Sequence, residues 1–187
     1  MNYRILVINL GSTSTKAAVF ENEQLIWESK IEHSIKELTS FPSIVSQKEY
    51  RQELILFALK NGNIELNSLS AIAARGGLLK PLISGTYRIN QSMVDALINT
   101  KRGEHASNLC AIIAFDLGNQ QGIPSYIVDP VSVDELEDVA RISGMAEIER
   151  TSIFHALNHK AIGRRVALDH QTKYEQLNLI IAHLGSG

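Results

Sequence analysis

Three apolar runs crowd the start of the chain, at positions 4–9, 16–20 and 25–31, and only short polar turns separate them. A parallel connection between neighbouring strands needs a crossover of a dozen or more residues. The turns at 11–14 and 21–23 leave no room for one, so the three runs predict an antiparallel meander. In the third run Leu25, Trp27, Ser29 and Ile31 alternate onto one side, as strand geometry requires.

After the meander the period changes. Residues 46–59 place Tyr50, Leu54, Phe57 and Ala58 on one helical face, and Asn61-Gly62 supplies a stop. Residues 69–74 read as a buried strand ending at Arg75-Gly76-Gly77, 85–90 as a short extended piece, and a helix begins near Gln91. Residues 107–120 carry Leu109, Ile112, Ile113 and Leu117 at helical spacing, and a strand at 126–128 then ends at Asp129-Pro130. A helix over 152–169 and a strand over 177–182 complete the pattern. A meander followed by alternating helices and strands predicts an α/β domain with a mixed sheet, and the tight opening turns argue against an all-parallel doubly wound fold.

Composition narrows the function classes. With 187 residues and 44% hydrophobic content, the chain can build one sizeable domain, or one and part of a second. Its formal net charge is −2, so no broad basic surface is available for nucleic acid or an anionic membrane, and anion binding has to be local. Cys110, the single cysteine, lies in an apolar stretch and reads as a buried core thiol in a reducing compartment. No stretch approaches the roughly 18 apolar residues of a membrane span, and the expectation is a cytoplasmic protein.

Several residues carry chemistry. Asn9, Gly11, Ser12, Ser14 and Lys16 form a hydroxyl-rich turn between two strands, where backbone N–H groups, hydroxyls and an ammonium can meet phosphate oxygens. The glycine spacing is not that of a Walker-type loop, and a strand rather than a helix follows; alone, the turn reads more readily as a solvated hairpin. Gly185-Ser186-Gly187 is a second glycine turn at a strand end. Arg75 stands where an apolar strand meets two glycines and suits a carboxylate, with a surface ion pair as the plainer alternative. Asp129 also ends a strand, a usual place for ligand contacts in open α/β sheets, although Asp before Pro is a common turn. His155 and His159 share one helix face, a spacing compatible with a metal pair, but nothing nearby completes a zinc site. A solvated or hydrogen-bonded role suits His159, while His155 can donate to a developing anion.

The runs NLGSTSTK, ARGG, GEHASNL, VDPVSVDEL, ARISG, IERTSIFHALNHKA and HLGSG, in this order along the whole chain, resemble the acetate/butyrate kinase family of the actin-like phosphotransferase superfamily. The longer shared runs favour its butyrate branch. The resemblance implies an actin-like (ribonuclease H-like) fold in which two related domains close over ATP and Mg2+. Residues 1–170 would be the first domain and 171–187 the truncated start of the second. By motif, Asn9, Ser12, Ser14 and Lys16 match the first phosphate loop, and Asn9 also a magnesium contact. Arg75 matches the carboxylate-binding arginine, Asp129 the catalytic aspartate, and His155 the histidine that stabilises the transferred phosphoryl group. His183, Gly185 and Gly187 match a second phosphate loop, in which Ser186 is a departure.

The implied reaction is reversible phosphoryl transfer from ATP to butyrate or a related short-chain carboxylate, giving an acyl phosphate and ADP, by a protein that is a homo-oligomer at full length. An acetate kinase, or a non-catalytic N-terminal fragment or binding module, stands as the alternative. A sugar or glycerol kinase of the same superfamily fits less well, because Arg75 suits an acid better than a polyol.

Overall fold

A computed structural model describes residues 2–100 and 102–184. The opening meander forms as its spacing requires: β1 (Arg4–Leu10), β2 (Ser14–Glu21) and β3 (Gln24–Glu32) pair antiparallel in sequence order. A short helix α1 (Ile35–Leu38) follows, closed by a capping box between Ser34 and Glu37. Then come α2 (Lys48–Asn61), β4 (Ala71–Arg75), β5 (Thr86–Arg88) and α3 (Gln91–Ile98). The last elements are α4 (Asn108–Gln121), β6 (Ser125–Val128) and α5 (Ala156–Asp169).

One six-stranded sheet results, in the order β3-β2-β1-β4-β6-β5. β4 runs parallel to both β1 and β6, and the short edge strand β5 returns antiparallel to β6, so the mixed sheet expected from the sequence is present. Side chains alternate across it. Leu6, Ile8 and Leu10 of β1, Ala17 and Val19 of β2, Ile72 and Ala74 of β4 and Ile127 of β6 enter a single core with Ile55, Leu59, Leu97 and the apolar residues of α4. α4 is the centre of that core, buried from Asn108 through Ala114, and Gly122 ends it in the left-handed conformation that glycine tolerates. The odd-numbered residues of β1 and β4 face the other way, and that face carries Asn9 and Arg75.

Three sequence expectations need correction. The face of α2 that turns inward is Arg51, Ile55 and Leu59, not Tyr50, Leu54, Phe57 and Ala58; Phe57 is 62% exposed while Arg51 is 0% exposed. Arg51 turns inward although it is charged because its guanidinium has acceptors below the 11–14 turn, the carbonyls of Gly11, Ser12 and Ser14. The helix expected from 152 starts only at Ala156. Before it, Phe154 N–H donates to the Val131 carbonyl (3.1 Å) and the Ser152 hydroxyl to that of Val133 (2.7 Å), which ties the segment to the turn at 131–133 instead of letting it coil. Residues 177–182 form no strand: no described segment pairs with them, and Ile180 is fully exposed. Alternating apolar residues make a strand only when another strand accepts their ladder.

Candidate active-site cleft

Strand register gathers the first group of polar residues. Asn9 pairs with Lys16 across β1–β2 and with Arg75 across β1–β4, so Lys16, Asn9 and Arg75 stand in one row over three strands, on the sheet face away from α2 and α4. The Arg75 guanidinium donates to Asn9 Oδ1 at 3.3 Å, which orients both. Beyond Arg75 the chain turns through Gly76 (φ 98°) and Gly77 (φ 114°). Side-chain acceptors at the start of α4 hold that turn: Gly77 N–H donates to Ser107 Oγ (3.3 Å) and Leu78 N–H to Asn108 Oδ1 (2.9 Å). A Cβ on Gly76 would sit 2.5 Å from Ser107 Cβ, so only glycine lets the helix start approach this closely.

The 11–14 turn is built from beneath. Gly11 N–H donates to the Ser14 carbonyl (2.8 Å), closing the turn, and the adjacent Leu10 N–H is held by Cys110 Sγ (3.1 Å). Burial pushes the Cys110 thiol up to about 12, as expected of a core group. Arg51 rises from α2 and donates to the carbonyls of Gly11 (3.1 Å), Ser12 (3.2 Å) and Ser14 (3.2 Å), to Thr15 Oγ1 (3.3 Å) and to Gln47 Oε1 (3.1 Å). Thr15 Oγ1 in turn contacts His33 Nε2 (2.8 Å), and His33 Nδ1 contacts the Tyr50 hydroxyl (3.3 Å). Burial, reinforced by the Arg51 charge, lowers the His33 pKa, so the imidazole is neutral near pH 7.

Above the turn lies a cleft of about 780 Å³, which Asn9, Gly11, Ser12, Ser14, Lys16 and Arg75 border on the strand side. Facing them are Val131, Ile153, Phe154, His155, His159 and His183, with Leu78, Glu104 and His105 at the margin. His155 Nδ1 lies 3.1 Å from His183 Nε2, the rings meeting edge-on with centroids 4.3 Å apart. Burial lowers the His155 pKa, and the charges of His183, Arg75 and His159 act in the same direction, so this ring too is neutral near pH 7. His159 uses its Nδ1 on the His155 carbonyl (2.8 Å), a bond within the first turn of α5.

Of the residues singled out from the sequence, Asn9, Gly11, Ser12, Ser14, Lys16, Arg75, His155 and His183 therefore share one cleft. Asp129 is placed differently. It is 5% exposed, with φ 37°, and its Oδ1 accepts from the Ser84 hydroxyl (2.7 Å) and Gly85 N–H (2.8 Å), so it clamps the start of β5 and does not line the cleft. Gly185 and Gly187 lie outside the described residues. Sequence reasoning passed over Arg51, Glu104 and His105. The signal for Arg51 was its stripe with Ile55 and Leu59; for Glu104 and His105 it was the GEHASNL run, which carried resemblance but no assigned role.

No family model matches the chain. It is 52% identical over 185 residues to butyrate kinase 1 of Clostridium acetobutylicum, covering 99% of this chain and 52% of that protein. It is 50% identical over 187 residues to butyrate kinase 2 of the same organism and 50% over 188 residues to a probable butyrate kinase of Coprothermobacter proteolyticus, covering 52% and 53% of those proteins. The chain spans about half the length of the curated relatives it matches, as the N-terminal portion of such a protein would. Among solved structures, the Porphyromonas gingivalis acetate kinase superposes with a TM-score of 0.61 at 14% identity, over 93% of this chain and 50% of that one. A propionate kinase from Francisella tularensis gives 0.57 at 16% identity, over 91% and 50%. At such identities the likeness establishes the fold, the actin-like fold of the acetate and propionate kinases. Along its whole length, then, the chain is a relative of the butyrate kinases.

Proposed function

We propose that this chain is the N-terminal portion of a butyrate kinase, and that the whole protein transfers the γ-phosphoryl group of ATP reversibly to butyrate or a close short-chain carboxylate, giving an acyl phosphate and ADP. The observation that carries the reading is the row of Lys16, Asn9 and Arg75 beside the 11–14 turn, in one cleft with the His155–His183 pair. A carboxylate oxygen attacks phosphorus, the bond from the γ-phosphorus to the bridging oxygen breaks, and its electron pair leaves on ADP. A carboxylate needs no base, so positioning and charge neutralisation do the catalysis.

Arg75 holds the carboxylate in a fork, and Asn9 fixes the angle of that fork. Lys16 and the turn take the phosphates. His155, neutral and paired through one nitrogen with His183, presents its other ring nitrogen to the equatorial oxygens of the phosphoryl group in transfer. Mg2+ takes neutral and anionic oxygens and keeps several waters. Asn9 Oδ1 and the Ser12 and Ser14 hydroxyls are oxygens of that type, and the ion would neutralise nucleotide charge beside them.

Asp129 would serve the charged centre only after releasing Ser84 and Gly85. Gly185 and Gly187 complete the second phosphate loop in this reading, with residues 1–170 as the first actin-like domain and 171–187 the start of the second. The fuller reading includes a cytoplasmic homo-oligomer; among the described residues no helix is long and apolar enough to cross a membrane. The test is acyl phosphate formation by the full-length gene product with MgATP, trapped with hydroxylamine. Butyrate-dependent product is expected, with less from acetate. A folded full-length protein that forms none with either acid overturns the reading in favour of a binding module.

A further inference from the structure

Arginine is almost never fully buried unless an acid accompanies it. Arg51 is 0% exposed, yet its hydrogen bonds all go to neutral oxygens: the carbonyls of Gly11, Ser12 and Ser14, the Thr15 hydroxyl and the Gln47 carboxamide. None of the ion pairs among the described residues includes it. The guanidinium stays charged, so the fold holds a cation in its interior without a counter-charge.

The direction of those bonds fixes the turn above. A trans peptide is planar, with its C=O and N–H on opposite sides. Drawing the Gly11 carbonyl down toward Arg51 turns Ser12 N–H upward, and drawing the Ser12 carbonyl down does the same for Thr13 N–H. Neither of these two N–H groups makes a hydrogen bond among the described residues, and both belong to exposed positions. The pattern is an anion nest whose carbonyls are pinned from below.

Resting on the kinase reading above, we propose that Arg51 is the positioning residue of the 11–14 phosphate turn: it holds the Gly11, Ser12 and Ser14 carbonyls on the buried side, presents the Ser12 and Thr13 N–H groups to a nucleotide polyphosphate, and finds in that polyphosphate its missing counter-charge. Little solvent lies between a buried guanidinium and the turn it supports, so its attraction for bound phosphate is weakly screened. Arg75, on the far side of Asn9, serves the other substrate; the two arginines divide nucleotide from acid.

The test uses Arg51→Lys and Arg51→Met in the full-length protein, with MgADP affinity by calorimetry beside separate KM values for ATP and butyrate. Arg51→Met is expected to weaken MgADP and raise the KM for ATP by on the order of tenfold or more, and to leave the KM for butyrate within about twofold. Arg51→Lys keeps the charge without the fork and falls between Met and wild type. The proposal is overturned by a folded Arg51→Met with unchanged MgADP affinity, by equal rises in both KM values, or by loss of folding in both variants, which would make Arg51 a core residue only. If the wild-type protein forms no acyl phosphate, the kinase reading falls alone, because the MgADP calorimetry still decides the role of Arg51.

Discussion

The two walls of the cleft are made by different means. On the strand side, Lys16, Asn9 and Arg75 are set by ladder register, the Gly76-Gly77 turn is bolted to α4, and the 11–14 turn is pinned by Arg51. On the histidine side, His155 hangs from an irregular segment tied by Phe154 N–H to Val131 and by Ser152 to Val133, and it meets His183 from a stretch with no ladder of its own. Ile153 on this wall is more than half exposed, and so is Ile180, three residues before His183. One wall is rigid because every displacement breaks several bonds at once; the other can shift at the cost of one or two. The proposed phosphoryl transfer would draw on both, a fixed seat for charge and a face that can close and open.

That contrast can be tested by unequal responses. Arg75→Ala should give the largest, raising the KM for butyrate about 100-fold while the KM for ATP stays near wild type. Equal rises in steady-state kinetics would unseat Arg75 from the carboxylate. Gly76→Ala strains a positive φ and drives a Cβ into Ser107, so the strand wall should lose about 2–3 kcal/mol, seen as a lower midpoint in urea. Ser152→Ala removes a single bond from the histidine wall, and about 1 kcal/mol or less should follow, with kcat falling more than either KM. A Ser152→Ala penalty as large as that of Gly76→Ala would erase the distinction between the walls.

The smallest effect is the pH dependence beneath the strand wall. His33 has a folded-state pKa below its ordinary 6.5, chiefly from burial and then from Arg51, with Glu37 and Glu32 opposing. The unfolded chain therefore binds the proton more readily. The stability that neutral His33 confers is complete above about pH 6.5 and declines as the pH falls toward the lowered value. His155 adds to the same trend, so His33→Gln should flatten the slope of urea midpoint against pH between about 5 and 7 without abolishing it. An unchanged slope would place the proton-binding difference elsewhere.

Much of the fold was legible because it is local. Turn lengths forced the meander, and the spacing of Leu109, Ile112, Ile113 and Leu117 gave α4. What was not legible depends on partners distant in sequence. Nothing singles out Arg51 until the Gly11, Ser12 and Ser14 carbonyls are seen above it, and with it went the inward face of α2. The alternation at 177–182 promised a strand, but a ladder needs a neighbour. For the site, the motifs of the strand wall pointed to residues that register then aligned. Sequence placed Asp129 at a strand end without revealing that Ser84 and Gly85 occupy its carboxylate.

Cys110 carries one more consequence. Its thiol is buried, lies under Leu10, the residue that leads into the 11–14 turn, and stays protonated at any physiological pH. Alkylating reagents attack thiolate that reaches solvent, so in the native state they find nothing to attack. Each modification then records one excursion in which β1 and α4 part. The rate of labelling makes this sulfur a clock for the opening of the strand wall, and bound nucleotide should slow it.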